Sequence, residues 1–196
     1  MGPVSVDDIA GRRPRRLLFY ARPEAHAARN MFEVGMLGLS RAIADGCFDR
    51  DWEFHGLGAV GGARGLPLGG GAALQLHPRL TQAEYRDVLR SHDLGLSLMY
   101  TPHPSLVPIE MASAGMLVVT NSFENKTPVR LAEISGNMIV VEPTVDGVVR
   151  GLREASAAAS DYDRRARGSR VAWSTDWSSS FDDRVMNAVR EFLARR

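Results

Sequence analysis

The stretch "SLMYTPHPSLVPIEMASAGMLVVTNSFENKT", Ser97 to Thr127, decides the fold. An apolar run closes at Tyr100, polar residues and three prolines follow, and Glu110 then stands among small and apolar helix formers. A second apolar run ends in Thr120 and Asn121. Short apolar runs bounded by turn residues read as buried strands, and Ser105 ahead of "LVPIEMASA", with Gly115 behind it, reads as a capped helix. The unit is strand, loop, helix, strand. Glu110 is either a solvated helix residue or one that faces a ligand, and the pattern leaves both readings open.

The same alternation runs outward in both directions. Upstream, "RRLLFYA" is a strand with Leu17 to Tyr20 as its body, and a helix follows from Arg29 to about Asp45, with Phe32, Met36, Leu39 and Ile43 on one face. "WEFHGLG" is a second strand, and the glycine-rich stretch from residue 56 to 71 reads as a loop after it. "AALQLH", residues 72 to 77, is a third strand, and "TQAE" has capping-box spacing for a helix running to Ser91. "LGLSLMY" and "MLVVTN" are the fourth and fifth strands. Downstream, Thr127 with Pro128 starts a helix that Gly136 closes, and "MIVVEP" is the sixth strand. A helix with Val148, Leu152, Ala155 and Ala159 on one face follows, and the charged segment Asp161 to Arg170 ends it or extends it as a solvated arm. The last helix carries Phe181, Val185, Ala188, Val189 and Phe192 as a buried stripe, capped by Ser180 with Asp183, and Trp173 and Trp177 suit docking of this tail onto the body.

About six strands alternating with helices predict a Rossmann-like, doubly wound α/β domain with a parallel sheet covered on both faces. Residues 1–13 read as a polar lead-in and 14–196 as one domain, with 171–196 a terminal segment that packs back or crosses over. A net charge of +1 argues against broad nucleic-acid binding. Cys47 is the single cysteine, the start has no signal-peptide pattern, and no apolar run reaches membrane-spanning length, so the expected location is the cytoplasm.

In such a sheet, ligands bind beyond the carboxyl ends of the strands near the switch in strand order. That rule selects Ala21 and Arg22, His55 to Gly58, His77 to Arg79, Tyr100 to Ser105, and Asn121 to Thr127. Arg22 and Arg29 bracket the turn into the first helix, where backbone N–H groups and guanidinium forks favour phosphate; two plain surface arginines are the alternative. Neither G-x-G-x-x-G in the first strand–helix turn nor a P-loop is present, which disfavours a dinucleotide oxidoreductase or a nucleoside triphosphatase. The histidines show no metal-ligand spacing; His55, His77 and His103 follow successive strands and read as pocket hydrogen-bond donors.

The run "TPHPSLVPIEMASAGMLVVTN" resembles the donor-binding motif of retaining, GT4-like glycosyltransferases of GT-B architecture, and among them the rhamnosyltransferase group related to WsaF. "FYARP", "ARNMFEVGMLGL", "FHGLG" and the late tryptophan-containing segment fit the same group, so the resemblance covers roughly residues 15 to 193. It implies one half of a GT-B fold, binding a nucleoside diphosphate sugar, with dTDP-rhamnose suspected, and transferring the sugar to an acceptor hydroxyl without a metal or other cofactor. It implies that Glu110 accepts the ribose hydroxyls and that Arg22 and Arg29 take the diphosphate. His55, Gly56, His77, His103, Ser105 and Asn121 complete the expected donor site. The family's other motif glutamate belongs eight residues before Glu110, where this chain has Pro102.

The expected partners are a nucleotide sugar and a second, acceptor-binding domain on a longer or separate chain. Peripheral membrane association of the full enzyme and a homodimer stand beside them as open expectations. The competing readings are a non-catalytic nucleotide-sugar-binding or protein-interaction α/β domain, and a phosphosugar isomerase or epimerase.

Overall fold

The computed structural model describes residues 2–174 and 176–195, with the side chains of Trp177 and Ser179 outside the described set. A seven-stranded sheet runs in the order β3-β4-β2-β1-β5-β6-β7. Its strands are β1 (Arg15–Tyr20), β2 (Trp52–Leu57), β3 (Arg64–Gly69), β4 (Ala72–Leu76), β5 (Leu94–Leu96), β6 (Leu117–Asn121) and β7 (Met138–Val141). Every pairing is parallel except β3 with β4.

Alternation along each strand sorts the core into two layers. Leu17 and Phe19 of β1 join Leu96, Leu117 and Val119 beneath α2 (Phe32–Ala44) and α6 (Val145–Ala157), which contribute Leu39, Ala42, Val148 and Leu152. Leu18 points the other way and joins Val118 beneath α3 (Gln82–Arg90), α4 (Leu106–Ser113) and α5 (Pro128–Ile134), which contribute Leu89, Ile109, Met111 and Leu131. The chain winds from β1 through β2 to β4, then crosses back to β5 on the far side of β1. The reversal of winding therefore falls between β1 and β5.

The helix starts follow local chemistry. Thr81 and Glu84 form the expected capping box on α3. The Ser105 hydroxyl accepts from the Val107 N–H on α4, and Thr127 caps α5 with Pro128 at its first position.

Five expectations are corrected. The glycine-rich stretch is not all loop, because its second half supplies β3 and turns through Gly69, Gly70 and Gly71, all at positive φ, into an antiparallel hairpin. Pro67 is tolerated there because β3 is an edge strand. The polar lead-in contains a capped turn, α1 (Val6–Ile9), and buries Val4 and Ile9.

The charged segment after α6 is neither its end nor a solvated arm, but a separate helix, α7 (Tyr162–Gly168). It buries Arg165 completely; the guanidinium donates to Asp93 at 3.0 Å and to the carbonyls of Gly115 and Ala159 at 2.8 Å each. The tail forms a short turn, α8 (Trp177–Ser180), and α9 (Asp183–Ala194), which Asp182 caps rather than Ser180. The expected buried stripe of α9 is open to solvent, with Phe181 50% and Phe192 61% exposed. Trp173 is half-exposed; the docking expected of Trp177 lies outside the described residues.

Candidate functional site

At the carboxyl ends of β1, β2 and β4, a cavity of about 610 Å³ opens beside the point where the winding reverses. Tyr20, Arg22, Gly58, Arg79, Tyr85 and Val107 are among the residues that line it. The size lies within the range that binds small molecules and cofactors, about 300–1,000 Å³.

Arg22 leaves the end of β1 and is held from three sides. Its guanidinium donates to Glu24 at 3.4 Å and to the Tyr20 hydroxyl at 3.5 Å, and approaches His26 Nε2 at 3.3 Å. The Tyr20 hydroxyl, followed by Glu24, raises its pKa further, so it stays a cation under all ordinary conditions. Glu24 also accepts from the Val60 N–H, which ties the loop after β2 to Arg22. Gly58 makes this approach feasible: at φ +97°, a Cβ there would lie 2.7 Å from Tyr20 and 2.8 Å from Arg22.

Glu110 comes to the same place from α4. It follows Val107 by three residues, so the two share a helix face, and its Oε2 accepts from the Tyr85 hydroxyl at 2.7 Å. Tyr85 stands on α3, and burial together with the Glu110 carboxylate pushes its phenol pKa upward, fixing it as a donor. A carboxylate has roughly four lone-pair sites, so one phenol leaves room for a diol.

The loop after β5 is fastened by side chains that imitate a strand. Pairing in β5 ends at Leu96, and two residues past the last backbone bond at Ser97 the Asn121 amide takes over. Its Oδ1 accepts from Met99 N at 2.7 Å, and its Nδ2 donates to the carbonyls of Met99 and Ser122. Lys126 adds its buried ammonium to the same Met99 carbonyl at 2.7 Å, and burial lowers its pKa to about 8. The Tyr100 N–H donates to the Arg29 carbonyl at 2.7 Å, joining this loop to the one after β1.

The residues selected from sequence thus divide. Arg22 lines the cavity, Glu110 reaches its rim through Tyr85, and Ser105 caps the helix between this cavity and a second one that His103 lines. Arg29 is exposed at the end of a 3-10 turn, Ala25–Asn30, and offers its carbonyl to the loop. Asn121 is fully buried, and its amide is taken up by backbone groups.

His55 and Gly56 do not follow β2 but lie inside it. A Cβ on Gly56 would sit 2.4 Å from Leu76 Cδ2, so packing demands this glycine. His55 contacts His77 at 3.2 Å and Glu53 at 3.5 Å, and meets the buried His92 edge-on at 5.0 Å. Burial lowers all three imidazoles, His92 to about 3, so they sit neutral between the sheet and α3. None of the three lines the cavity. Tyr85 and Glu24 escaped the sequence reading, and Lys126 fell inside the span selected after the fifth predicted strand without a role of its own; a capping box placed Tyr85 on a helix, but nothing local points it at Glu110. Among the described residues, no group of three or more His, Cys, Asp or Glu could hold a metal ion, and no helix is long and apolar enough to cross a membrane.

A mostly parallel, doubly wound sheet with a cavity at its carboxyl edge defines a Rossmann-like domain, and comparison with solved structures matches it to one half of a GT-B fold. The catalytic domain of cholesterol-alpha-glucosyltransferase from Helicobacter pylori superimposes with a TM-score of 0.57 at 10% identity, over 80% of this chain and 95% of that one. Sucrose-phosphate synthase from Thermosynechococcus elongatus superimposes with a TM-score of 0.59 at 15% identity, over 100% of this chain and 52% of that one. Residues 15–153 match the family model for the C-terminal domain of WsaF, and the chain belongs to that family. It is also 32% identical over 188 residues to the O-antigen biosynthesis protein RfbC of Myxococcus xanthus, covering 90% of this chain and 13% of that protein's length.

Proposed function

We propose that this domain binds a nucleoside diphosphate sugar as the donor half of a glycosyltransferase that serves surface-polysaccharide synthesis. The observation that carries the reading is the cavity lined by Arg22, Arg79 and Tyr85, whose hydroxyl donates to the Glu110 carboxylate. Each pole matches one part of such a donor. The guanidinium of Arg22 suits the diphosphate. The Glu110 carboxylate suits the paired ribose hydroxyls, and the backbone from His77 to Thr81 suits the edge of the base.

In the reaction, the bond from the anomeric carbon to the diphosphate oxygen breaks and a bond to an acceptor oxygen forms, while the acceptor loses its proton. Charge builds on the departing diphosphate, where preorganised cations act most strongly. Arg22 is such a cation, and Arg29 is a second candidate whose exposed side chain can swing toward it.

The acceptor belongs on a further domain or chain, and the exposed apolar stripe of α9 is the surface we assign to that contact. Membership of the WsaF family favours dTDP and a deoxysugar such as rhamnose. The single half-buried free thiol, Cys47, fits a cytoplasmic setting. The exposed stripe equally favours a second reading, a protein-interaction domain without catalysis, which predicts no nucleotide binding. Calorimetric titration with dTDP, UDP and dTDP-rhamnose separates the two. Saturable binding that weakens in Arg22→Ala supports the donor reading; absence of saturation at millimolar ligand would end it.

A further inference from the structure

The sheet treats its two edges differently. The edge at β3 carries Pro67 and a shift of register between Pro67 and Gly69, both of which deter a further strand. The edge at β7 has neither device. It reads Met138-Ile139-Val140-Val141, pairs regularly with β6, and meets a proline only at Pro143, past its end. Among the described residues no strand lies on its other side.

The backbone groups on that side follow from the pairing with β6. The carbonyls of Asn137 and Val141 accept from the Val118 and Ser122 N–H groups. Alternation therefore turns the N–H and carbonyl of Val140 outward, with the Met138 carbonyl and the Glu142 N–H on the same side. A groove of about 390 Å³ runs along this edge beneath α6, and Glu142, Arg150 and Glu154 line it. The helix packs over β6 and β7 alike. Its Gly151 lies level with Val140, because a Cβ there would come within 2.8 Å of both Val119 and Val141. The charges along the groove alternate in sign. Arg150 pairs with Glu142 toward the carboxyl end of β7, and Glu154 pairs with Arg164 at 3.8 Å toward its amino end.

A bare strand edge flanked by charges that alternate about its midpoint complements itself under a two-fold rotation. We propose that this edge pairs with a second copy of the chain, β7 antiparallel to β7, in one sheet continuous across the dyad. The two Val140 residues exchange both backbone bonds, and each Glu142 N–H reaches the Met138 carbonyl of the second copy. Neighbouring strands lie about 4.8 Å apart, so the two α6 helices run antiparallel at about 10 Å, which is helix-packing distance. Arg150 of each copy then faces Glu154 of the other. The cavity that holds Arg22 lies at β1, β2 and β4, away from this edge, and stays open. Pairing at β7 does not depend on what that cavity binds.

Sedimentation equilibrium of the full chain tests the pairing, with Arg150→Glu and Glu154→Arg as variants and far-ultraviolet circular dichroism as the folding control. Wild type is expected to pass from monomer to dimer as its concentration rises. Each variant sets like charges against each other in its own dimer and should weaken it about tenfold or more. An equimolar mixture of the two variants decides the geometry. Arg150→Glu gives one copy two carboxylates and Glu154→Arg gives the other two guanidinium groups, so the mixed dimer regains both cross-dyad pairs. It should form within a few-fold of the wild-type constant, and the Val140 amide should exchange more slowly in the dimer than in the monomer. A wild-type chain that stays monomeric at millimolar concentration would overturn the proposal. So would a dimer that neither variant weakens, because it forms elsewhere, or a weakening that the mixture leaves unrestored.

Discussion

Replacing Tyr85 by phenylalanine removes one oxygen and should weaken nucleotide binding by releasing Glu110. The Tyr85 hydroxyl donates to Glu110 Oε2 at 2.7 Å, and burial with the carboxylate keeps it protonated, so it orients Glu110 at any ordinary pH. A hydrogen bond to a charged group contributes about 1.5–3 kcal/mol, and part of that returns when water reaches the half-buried carboxylate. A net loss of about 1–1.5 kcal/mol in positioning Glu110 corresponds to roughly five- to tenfold weaker dTDP binding. Glu110→Ala removes the acceptor itself and two hydrogen bonds to the ribose, so its loss should exceed about a hundredfold. Calorimetry on the two single variants and the double variant reads these values, and the double variant should be no worse than Glu110→Ala. Equal or tighter dTDP binding by Tyr85→Phe would refute the positioning role, and an unimpaired Glu110→Ala would refute the ribose contact.

Three further outcomes concern the frame of the site. His92 is buried with Nε2 unpartnered, and its folded pKa of about 3 lies below the ordinary 6.5. The unfolded chain therefore binds the proton first, and stability present above pH 6.5 is lost as pH falls toward 3, by up to roughly 4 kcal/mol from this group alone. Urea midpoints at pH 7, 5 and 4 should fall less steeply in His92→Gln. Lys126 is the single lysine of the chain, and burial lowers it to about 8 from 10.5. Its charge costs stability in full below pH 8, and that cost disappears as pH rises to 10.5. Wild type should thus gain on Lys126→Met by up to about 3 kcal/mol across that window, whereas a constant difference would mean an ordinary amine. Arg165→Met strands the buried Asp93 carboxylate and should cost about 3–5 kcal/mol, lowering the thermal midpoint by roughly 10 °C. Asp93→Asn in the same chain should restore part of it.

Much of the fold could be read from local chemistry. Thr81 with Glu84, Ser105, and Thr127 with Pro128 each announce a helix start, because a cap is decided by neighbours in sequence. The hairpin of β3 and β4 was hidden because its glycines resemble a loop, and only pairing with Ala72–Leu76 makes Arg64–Gly69 a strand. Arg165 looked solvated because its partner Asp93 lies 72 residues away in sequence. In the same way, the periodicity of α9 marks an apolar stripe but cannot say what covers it.

The site divides along the same line. The place of Arg22 in the cavity was legible because it lies two residues past the first strand and ligands gather at strand ends. His55 was misplaced by two residues, enough to move it from the sheet edge into the space beneath α3. Asn121 sits at the right edge but supports the loop after β5 through the Met99 backbone. Tyr85 and Glu110, 25 residues apart on different helices, become a pair only when both helices pack on one face of the sheet.

The central claim is that a nucleoside diphosphate lies across the carboxyl ends of β1 and β4, with its ribose on Glu110. A crystal structure of the chain soaked with dTDP tests this most directly. The account predicts ribose hydroxyls within hydrogen-bond distance of the Glu110 carboxylate and the diphosphate against Arg22. Nucleotide bound elsewhere, with Glu110 still held by Tyr85 alone, would contradict it.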